Sequence, residues 1–137
     1  MLSNTLSIVG VFVLGFSILV CGMVWAEEWK QYGVDDSGNL FYYDAGSIIR
    51  PEKNIVRVWA KMVHSKENKK TLGKGLENLL YSKRLWEINC ADKKIRRLSK
   101  VAYSDDGKIL ISDNTEEKWQ SIRPKSLEED LYKNVCR

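Results

Sequence analysis

The first 26 residues of this 137-residue chain carry no charged side chain, and this divides the chain into two parts. All 22 Lys and Arg residues, all 18 Asp and Glu residues and the single His lie at or beyond residue 27. A stretch so free of charge suits an apolar environment and must be set apart before the fold is considered. The remaining residues, 27–137, suffice for one domain, since domains usually contain about 50 to 250 residues.

The uncharged stretch predicts a signal peptide at residues 1–26. Its apolar run, residues 6–26, ends in Val24-Trp25-Ala26, with a small residue at the last position as signal peptidases require. Cleavage after Ala26 would export residues 27–137 to the periplasm, the outer surface or the medium. An uncleaved anchor is the alternative, because about 20 apolar residues can span a bilayer and because the N-terminal MLSNT contains no Lys or Arg.

Cleavage would leave two cysteines, Cys90 and Cys136. An even number of cysteines in an exported domain predicts a disulfide, and two cysteines allow only one pairing. The alternative, in a reducing compartment, is two free buried thiols. The third cysteine, Cys21, would be the acylated residue of a lipoprotein, but Val20 stands before it where a small residue is needed. We therefore expect a disulfide between Cys90 and Cys136 and no lipid on Cys21.

Alternating apolar and polar residues, interrupted by turn signals, predict an α+β fold that is mainly an antiparallel sheet of about six strands. The clearest strand, 54–64, has one uniformly apolar side that should face the core. That side consists of Val56, Val58, Ala60 and Met62. Pro51 should end strand pairing before it, and the polar residues 65–75 should form a mobile loop. The segments with strand character are 28–34, 40–44, 54–64, 81–90, 95–103, 108–112 and 119–122.

One amphipathic helix is predicted at the C-terminus. Ser126, followed three residues later by Glu129, is a capping-box pattern that marks the start of a helix. The apolar positions that follow lie four residues apart and line one side of the helix: Leu127, Leu131 and Val135. A helix of about 11 residues is marginal alone in water and must be held against another element. Cys136 in its last turn and Cys90 on the apolar side of strand 81–90 would pin this helix to one face of the sheet.

Several short motifs follow one another in a fixed order along residues 28–137. They are YYD-AGSII, VRVWAKMV, LWEINC followed by basic residues, W-x-x-I-x-P-x-S and a terminal Val-Cys. Their order, with the two cysteine positions, resembles the bacterial surface-adhesin protein E family. The resemblance implies a sheet of about six antiparallel strands with a C-terminal helix joined by a disulfide to its concave face. It also implies an adhesin that binds a macromolecular partner and can form dimers.

The residues offer no set suited to catalysis, to a metal or to a cofactor. His64, the only His, lies at a strand end beside a lysine-rich segment, and neither a nucleophile nor a second metal ligand accompanies it. We therefore expect it to face solvent. The chain has no G-x-x-x-x-G-K, G-x-S-x-G or C-x-x-C motif, and its net charge of +4 is too small for a dedicated nucleic-acid binder. We predict that the protein is not an enzyme and binds no cofactor, metal or nucleic acid.

The candidates for partner binding are one aromatic and four basic residues: Trp59, Lys93, Lys94, Arg96 and Arg97. Trp59 lies between Arg57 and Lys61 on the charged side of its strand, which suits either cation–π packing or a binding surface. The four basic residues would join the lysines of residues 65–75 in one anion- or glycan-binding patch if the two segments lie close together. The alternative is a solvated edge whose charge prevents sheets from pairing.

Together these features predict an exported, non-enzymatic, adhesin-like protein that binds a protein or glycan partner at the cell surface. It would meet the membrane only through residues 1–26, and the family resemblance adds a homodimer as an expectation. The alternative is a structural accessory subunit that contributes to a larger envelope assembly through its sheet edge.

Overall fold

The computed structural model describes residues 26–137, which form an antiparallel sheet with one main helix packed on it. The predicted signal peptide, apart from Ala26, and Cys21 lie outside these residues. No helix within residues 26–137 is long and apolar enough to cross a bilayer. The strands are β1 (Trp29–Val34), β2 (Leu40–Asp44), β3 (Ile49–Glu52), β4 (Ile55–Val63), β5 (Leu79–Asn89), β6 (Lys94–Ser104), β7 (Ile109–Asp113) and β8 (Gln120–Ser121). The helices are α1 (Lys66–Thr71) and α2 (Leu127–Val135), with a 3-10 turn at Ala45–Ser47.

The strands form one sheet in which every paired neighbour is antiparallel. The main order is β1-β2-β4-β5-β6-β7, while β3 pairs with the beginning of β4 and β8 with the beginning of β6. In the centre, Val56 lies opposite Ile88 and Val58 opposite Trp86. This register brings the apolar residues of neighbouring strands to the same face. The predicted antiparallel sheet is therefore confirmed.

The face that packs against α2, here called the helix face, holds the core. Val56, Val58 and Ile88 from the sheet and Leu131 and Val135 from α2 are each at most 2% exposed, and they belong to one apolar cluster. The apolar side predicted for β4 is confirmed, because its alternate residues turn inward toward α2. Burial of these side chains, at about 1.5 to 3 kcal/mol each, is what holds a short helix on the sheet.

The start of α2 is fixed by hydrogen bonds and ion pairs around Glu129. Ser126 is the N-cap, and its Oγ accepts the Glu129 backbone N–H at 3.1 Å. The Glu129 carboxylate accepts the backbone N–H of Lys125 at 3.3 Å, not that of Ser126 as a full capping box requires. Lys93 and Lys133 also pair with it, at 2.8 and 3.3 Å. The hydrogen bond from Lys93, with these other contacts, lowers the pKa of Glu129 to about 2.

A disulfide between Cys90 and Cys136 joins the end of β5 to the end of α2. Both cysteines pack against the core cluster of the helix face. The Tyr132 hydroxyl of α2 also donates to the Cys90 carbonyl at 3.2 Å. The predicted pairing and the predicted attachment of the helix are thus confirmed.

The prediction of a loop over residues 65–75 is wrong, because residues 66–71 form α1. Ser65 is its N-cap, with its Oγ accepting the Asn68 backbone N–H at 3.1 Å. Ser65 also donates its own N–H to Asn39 Oδ1 at 2.8 Å and its hydroxyl to the Ser37 carbonyl at 2.6 Å. These hydrogen bonds attach the start of α1 to the turn between β1 and β2. They favour a helical turn in a segment whose residues are too polar to show a helical pattern of apolar positions.

Two further expectations about single residues are wrong. Pro51 does not end strand pairing, since it lies inside β3, where an edge position and a shifted register tolerate the missing N–H. His64 does not face solvent, since it is 8% exposed. Its Nε2 lies 3.4 Å from the Ser82 hydroxyl and its Nδ1 lies 3.3 Å from the Asn68 amide nitrogen.

Candidate binding surface

The face of the sheet opposite α2, here called the open face, presents aromatic and charged side chains. Strand alternation explains this, because Val58 and Ala60 of β4 point into the core while Trp59 and Lys61 point the other way. Across the β4–β5 pair, Lys61 lies opposite Lys83. These side chains are half-buried by one another rather than by a helix.

A cleft on the open face, here called the aromatic cleft, has a volume of about 190 Å³. The Glu27 carboxylate joins two residues of one wall, because it accepts hydrogen bonds from Trp29 Nε1 at 3.0 Å and from Lys83 Nζ at 3.2 Å. The Trp29 and Lys83 hydrogen bonds lower the pKa of the Glu27 carboxyl, so it stays charged. The cleft is lined by Glu27, Trp29, Asp44, Trp59, Lys83, Val101 and Tyr103.

Two lysines lie directly opposite each other beside this cleft, an arrangement that costs stability in a sheet. The ammonium of Lys61 lies 4.4 Å from the centre of the Trp29 ring, and that of Lys83 lies 5.4 Å from it. The tryptophan face and the Glu27 carboxylate offset part of the repulsion. Burial, with the charge of Lys83, lowers the pKa of Lys61. Titratable groups with a shifted pKa in a cleft are common at functional sites, so the lysine pair makes the aromatic cleft a candidate binding site.

A second cleft on the open face, here called the arginine cleft, has a volume of about 300 Å³. Its centre is Glu87, a carboxylate only 3% exposed, which accepts from Arg57 and, at 2.9 and 2.6 Å, from Arg96. The guanidinium of Arg96 also pairs with Glu116 at 2.7 Å and stacks over Trp119, 4.6 Å from the ring centre. The arginines here are already matched by carboxylates, so this cleft has less free charge to offer a ligand.

The predicted binding residues do not converge on one patch, because strand alternation divides them. Trp59 lines the aromatic cleft and Arg96 the arginine cleft. Arg97, next along β6, pairs on the other side with Asp113 at 3.5 Å and Glu117 at 2.9 Å. Lys93 pairs with Glu129 on α2, whereas Lys94 is exposed at the start of β6.

The lysines of α1 do not join the basic run either. α1 follows the end of β4, while residues 93–97 lie at the β5–β6 turn, which is beside the beginning of β4. The length of β4 therefore separates the two groups. The condition for one continuous patch, that the two segments lie close together, is therefore not met.

Of the residues that line the aromatic cleft, the sequence analysis proposed only Trp59 for binding, and Trp29, Lys83 and Tyr103 are among those that it missed. Alternation along β5 puts Lys83 on the side opposite Trp86 and Ile88, so its exposure could have been inferred. Its position opposite Lys61 could not, because a cross-strand pair depends on the register between two strands. The contribution of residue 27 to the cleft also has no local sequence signal.

Comparisons with known proteins place this geometry in a family. Residues 29–137 match the family model described as surface-adhesin protein E. A solved structure of Haemophilus influenzae protein E superposes with a TM-score of 0.57 at 16% identity, covering 82% of this chain and 87% of that chain. Its crystal form II gives a TM-score of 0.55 at 14% identity, with 81% and 95% covered. At these sequence identities the similarity between this chain and protein E shows a shared fold. No curated protein sequence matches this chain.

Proposed function

Because this chain belongs to the surface-adhesin protein E family, we propose that it is an exported, non-enzymatic binding protein whose open face holds a glycan in the aromatic cleft. The proposal includes removal of residues 1–26 during export and action in the periplasm or at the cell surface. It treats Trp59, Trp29, Tyr103 and Lys83 as the contact residues.

The shape of the aromatic cleft supports a glycan more than a flat protein surface. Its volume of about 190 Å³ is on the scale of a single sugar ring. Three aromatic side chains, Trp29, Trp59 and Tyr103, supply apolar walls against which a ring can lie. This arrangement is expected of a small concave ligand site in which a few polar groups fix the orientation of the ligand.

The polar groups of the cleft suit hydroxyl groups. The Lys83 ammonium donates one hydrogen bond to the Glu27 carboxylate. The ammonium keeps other N–H donors and the carboxylate keeps other acceptor positions, so adjacent hydroxyls of one sugar can be satisfied in both directions. The second ammonium, on Lys61, lies just beyond and favours sugars that carry a carboxylate or sulfate.

A glycan array that carries neutral and acidic oligosaccharides tests this proposal. We expect the exported protein to bind a defined subset of the glycans. Trp59→Ala and Lys83→Gln should each weaken binding about tenfold or more, as the loss of a contact worth about 1.4 kcal/mol requires. Trp119→Ala is the matched control, because Trp119 belongs to the arginine cleft and its loss should leave binding unchanged.

Other outcomes of these experiments would give the open face a different role. Equal losses in the Trp59 and Trp119 variants would place the glycan elsewhere or show only general destabilisation, which urea unfolding of both variants would reveal. No binding to any glycan, together with co-purification of an envelope protein that Trp59→Ala releases, would overturn the glycan proposal in favour of the structural accessory role.

A further inference from the structure

Arg84, on the helix face, is a half-buried cation that makes no ion pair within residues 26–137. It follows Lys83 in β5 and therefore points to the opposite side of the sheet. Its Nε is buried and has no hydrogen-bond partner among residues 26–137. A buried N–H without a partner is costly, because its lost hydration is not replaced.

The surroundings of Arg84 add positive charge. Lys100 of β6 lies directly opposite it, which is again an unfavourable like-charge pair across two strands. Arg97 is a third nearby cation, but its charge is met by Asp113 and Glu117. Burial, and then the charge of Arg97, lowers the pKa of Arg84, and burial, with the charge of Arg84, lowers that of Lys100.

A cavity of about 160 Å³ lies between Arg84 and the first turn of α2. The other charged residues that line it are Lys61 and Glu128, and Glu128 makes no ion pair with Arg84. Most of its wall is apolar and is formed by Tyr32, Phe41, Ala60, Met62, Trp86, Leu127 and Leu131. A cavity of about 150 Å³ is known to accommodate benzene.

We propose that this cavity binds a small carboxylic acid with a compact apolar body, its carboxylate on Arg84 and its hydrocarbon part against α2. The carboxylate supplies the missing partner of the guanidinium, and a charge-assisted hydrogen bond of this kind is among the strongest that side chains make. The opposite lysine, Lys100, adds attraction. The site is on the other face from the aromatic cleft and does not depend on the glycan proposal.

Benzoate is a suitable probe, because it combines a carboxylate with an apolar ring of the right size. We expect calorimetric titration of the exported protein to show benzoate binding at least about tenfold tighter than benzamide, its neutral isostere, because only benzoate forms an ion pair. Sulfate, which lacks the apolar body, should bind more weakly than benzoate. Glu128→Gln should tighten benzoate binding, since it removes a competing negative charge from the cavity.

Arg84→Gln should abolish the preference for benzoate over benzamide, whereas Arg123→Gln should keep it. Arg123 is exposed in the segment before α2 and lies outside the cavity. If Arg84→Gln does not fold, Arg84→Lys retains the charge and should keep a reduced preference. Equal binding of benzoate and benzamide by the unaltered protein, or an unchanged preference in Arg84→Gln, would overturn the proposal, and so would sulfate binding as tight as benzoate.

Discussion

At the residue scale, His64 shows how a buried side chain makes stability depend on pH. Burial, reinforced by the positive charges of Arg84 and Lys100, lowers the pKa of His64 to about 4, whereas the pKa of an unfolded histidine is about 6.5. Between these two pH values the unfolded chain binds a proton that the folded chain does not. The folded state is therefore favoured at higher pH and loses stability as the pH falls through this window.

We expect the free energy of unfolding to fall by about 2 to 3 kcal/mol from pH 7 to pH 4.5 through His64 alone. In His64→Gln this decline should be largely absent, although the variant starts from a lower stability because its contacts with Ser82 and Asn68 change. Urea unfolding at pH 7, 6, 5 and 4.5 measures both slopes. Unfolded carboxyl groups begin to titrate at the lower end of this pH range, but they do so in both proteins, so the difference between the two slopes reports His64. Parallel slopes in the two proteins would show that His64 is not the titrating group.

Glu87 is the residue on which the arginine cleft depends. Burial alone would raise the pKa of its carboxyl, but hydrogen bonds from Arg57 and Arg96 outweigh this and lower the pKa. Removing the charge leaves two arginines facing each other without their shared carboxylate, so Glu87→Gln should destabilise the protein by about 2 to 3 kcal/mol in urea unfolding.

Glu116→Gln is the control. Glu116 pairs with the same Arg96, but its side chain is 57% exposed, so its loss should cost less than about 1 kcal/mol. Equal costs would contradict the role assigned to burial.

At the element scale, α2 depends on both packing and covalent attachment. It contains nine residues, a length at which an isolated helix is unstable in water. Leu131 and Val135 hold its middle and end in the core, and the Cys90–Cys136 disulfide fixes its last turn. The disulfide closes a sequence separation of 46 residues, so it limits the unfolded chain as well as the helix.

The double variant Cys90→Ser/Cys136→Ser should lose up to about 4 kcal/mol of unfolding free energy, as the chain-entropy relation gives for a loop of this length. The loss should be local first. Hydrogen exchange is expected to accelerate at the amides of α2 well before those of β4 and β5, because the helix can then open without the sheet. Reduction of the unaltered protein should have the same effect on exchange. If the α2 amides of the double variant stay as protected as those of β4 and β5, packing alone holds the helix.

The elements that could be predicted from the sequence are those with a strong local signal. The alternation in β4 and the Ser126 start of α2 each lie within a dozen residues, and both are confirmed. α1 was missed because its polar residues show no apolar period, and the strand around Pro51 was missed because an edge position overrides the usual effect of proline. The pairs Lys61–Lys83 and Arg84–Lys100 depend on strand register, which no local pattern supplies.

At the scale of the whole molecule, β5 connects two surfaces of different character. Consecutive residues, Lys83 and Arg84, point to opposite faces, and each lies opposite another cation in the neighbouring strand. Neither pair contributes to stability, since like charges across a sheet repel. The main apolar cluster lies toward the other end of the same strands, near the disulfide, and its residue Leu131 also forms part of the wall of the Arg84 cavity. The cavity on the helix face is therefore continuous with the core, whereas the aromatic cleft lies on the opposite face.

The start of the domain bears on how the whole molecule is processed. The Glu28 backbone N–H donates to Asp44 at 2.8 Å and its carbonyl accepts from Ala45 at 2.8 Å, so the backbone is joined to the sheet by hydrogen bonds from the second residue after the proposed cleavage site at Ala26. We expect the protein isolated from its natural host to have the intact mass of residues 27–137 less two hydrogens, with no lipid. Reduction should add two hydrogens, and an alkylating reagent should then add to both Cys90 and Cys136, but to neither beforehand. A mass that includes residues 1–26 would instead establish an anchored protein. Alkylation without prior reduction would show that the two thiols are free, which would contradict the disulfide on which the attachment of α2 and the inferred export both depend.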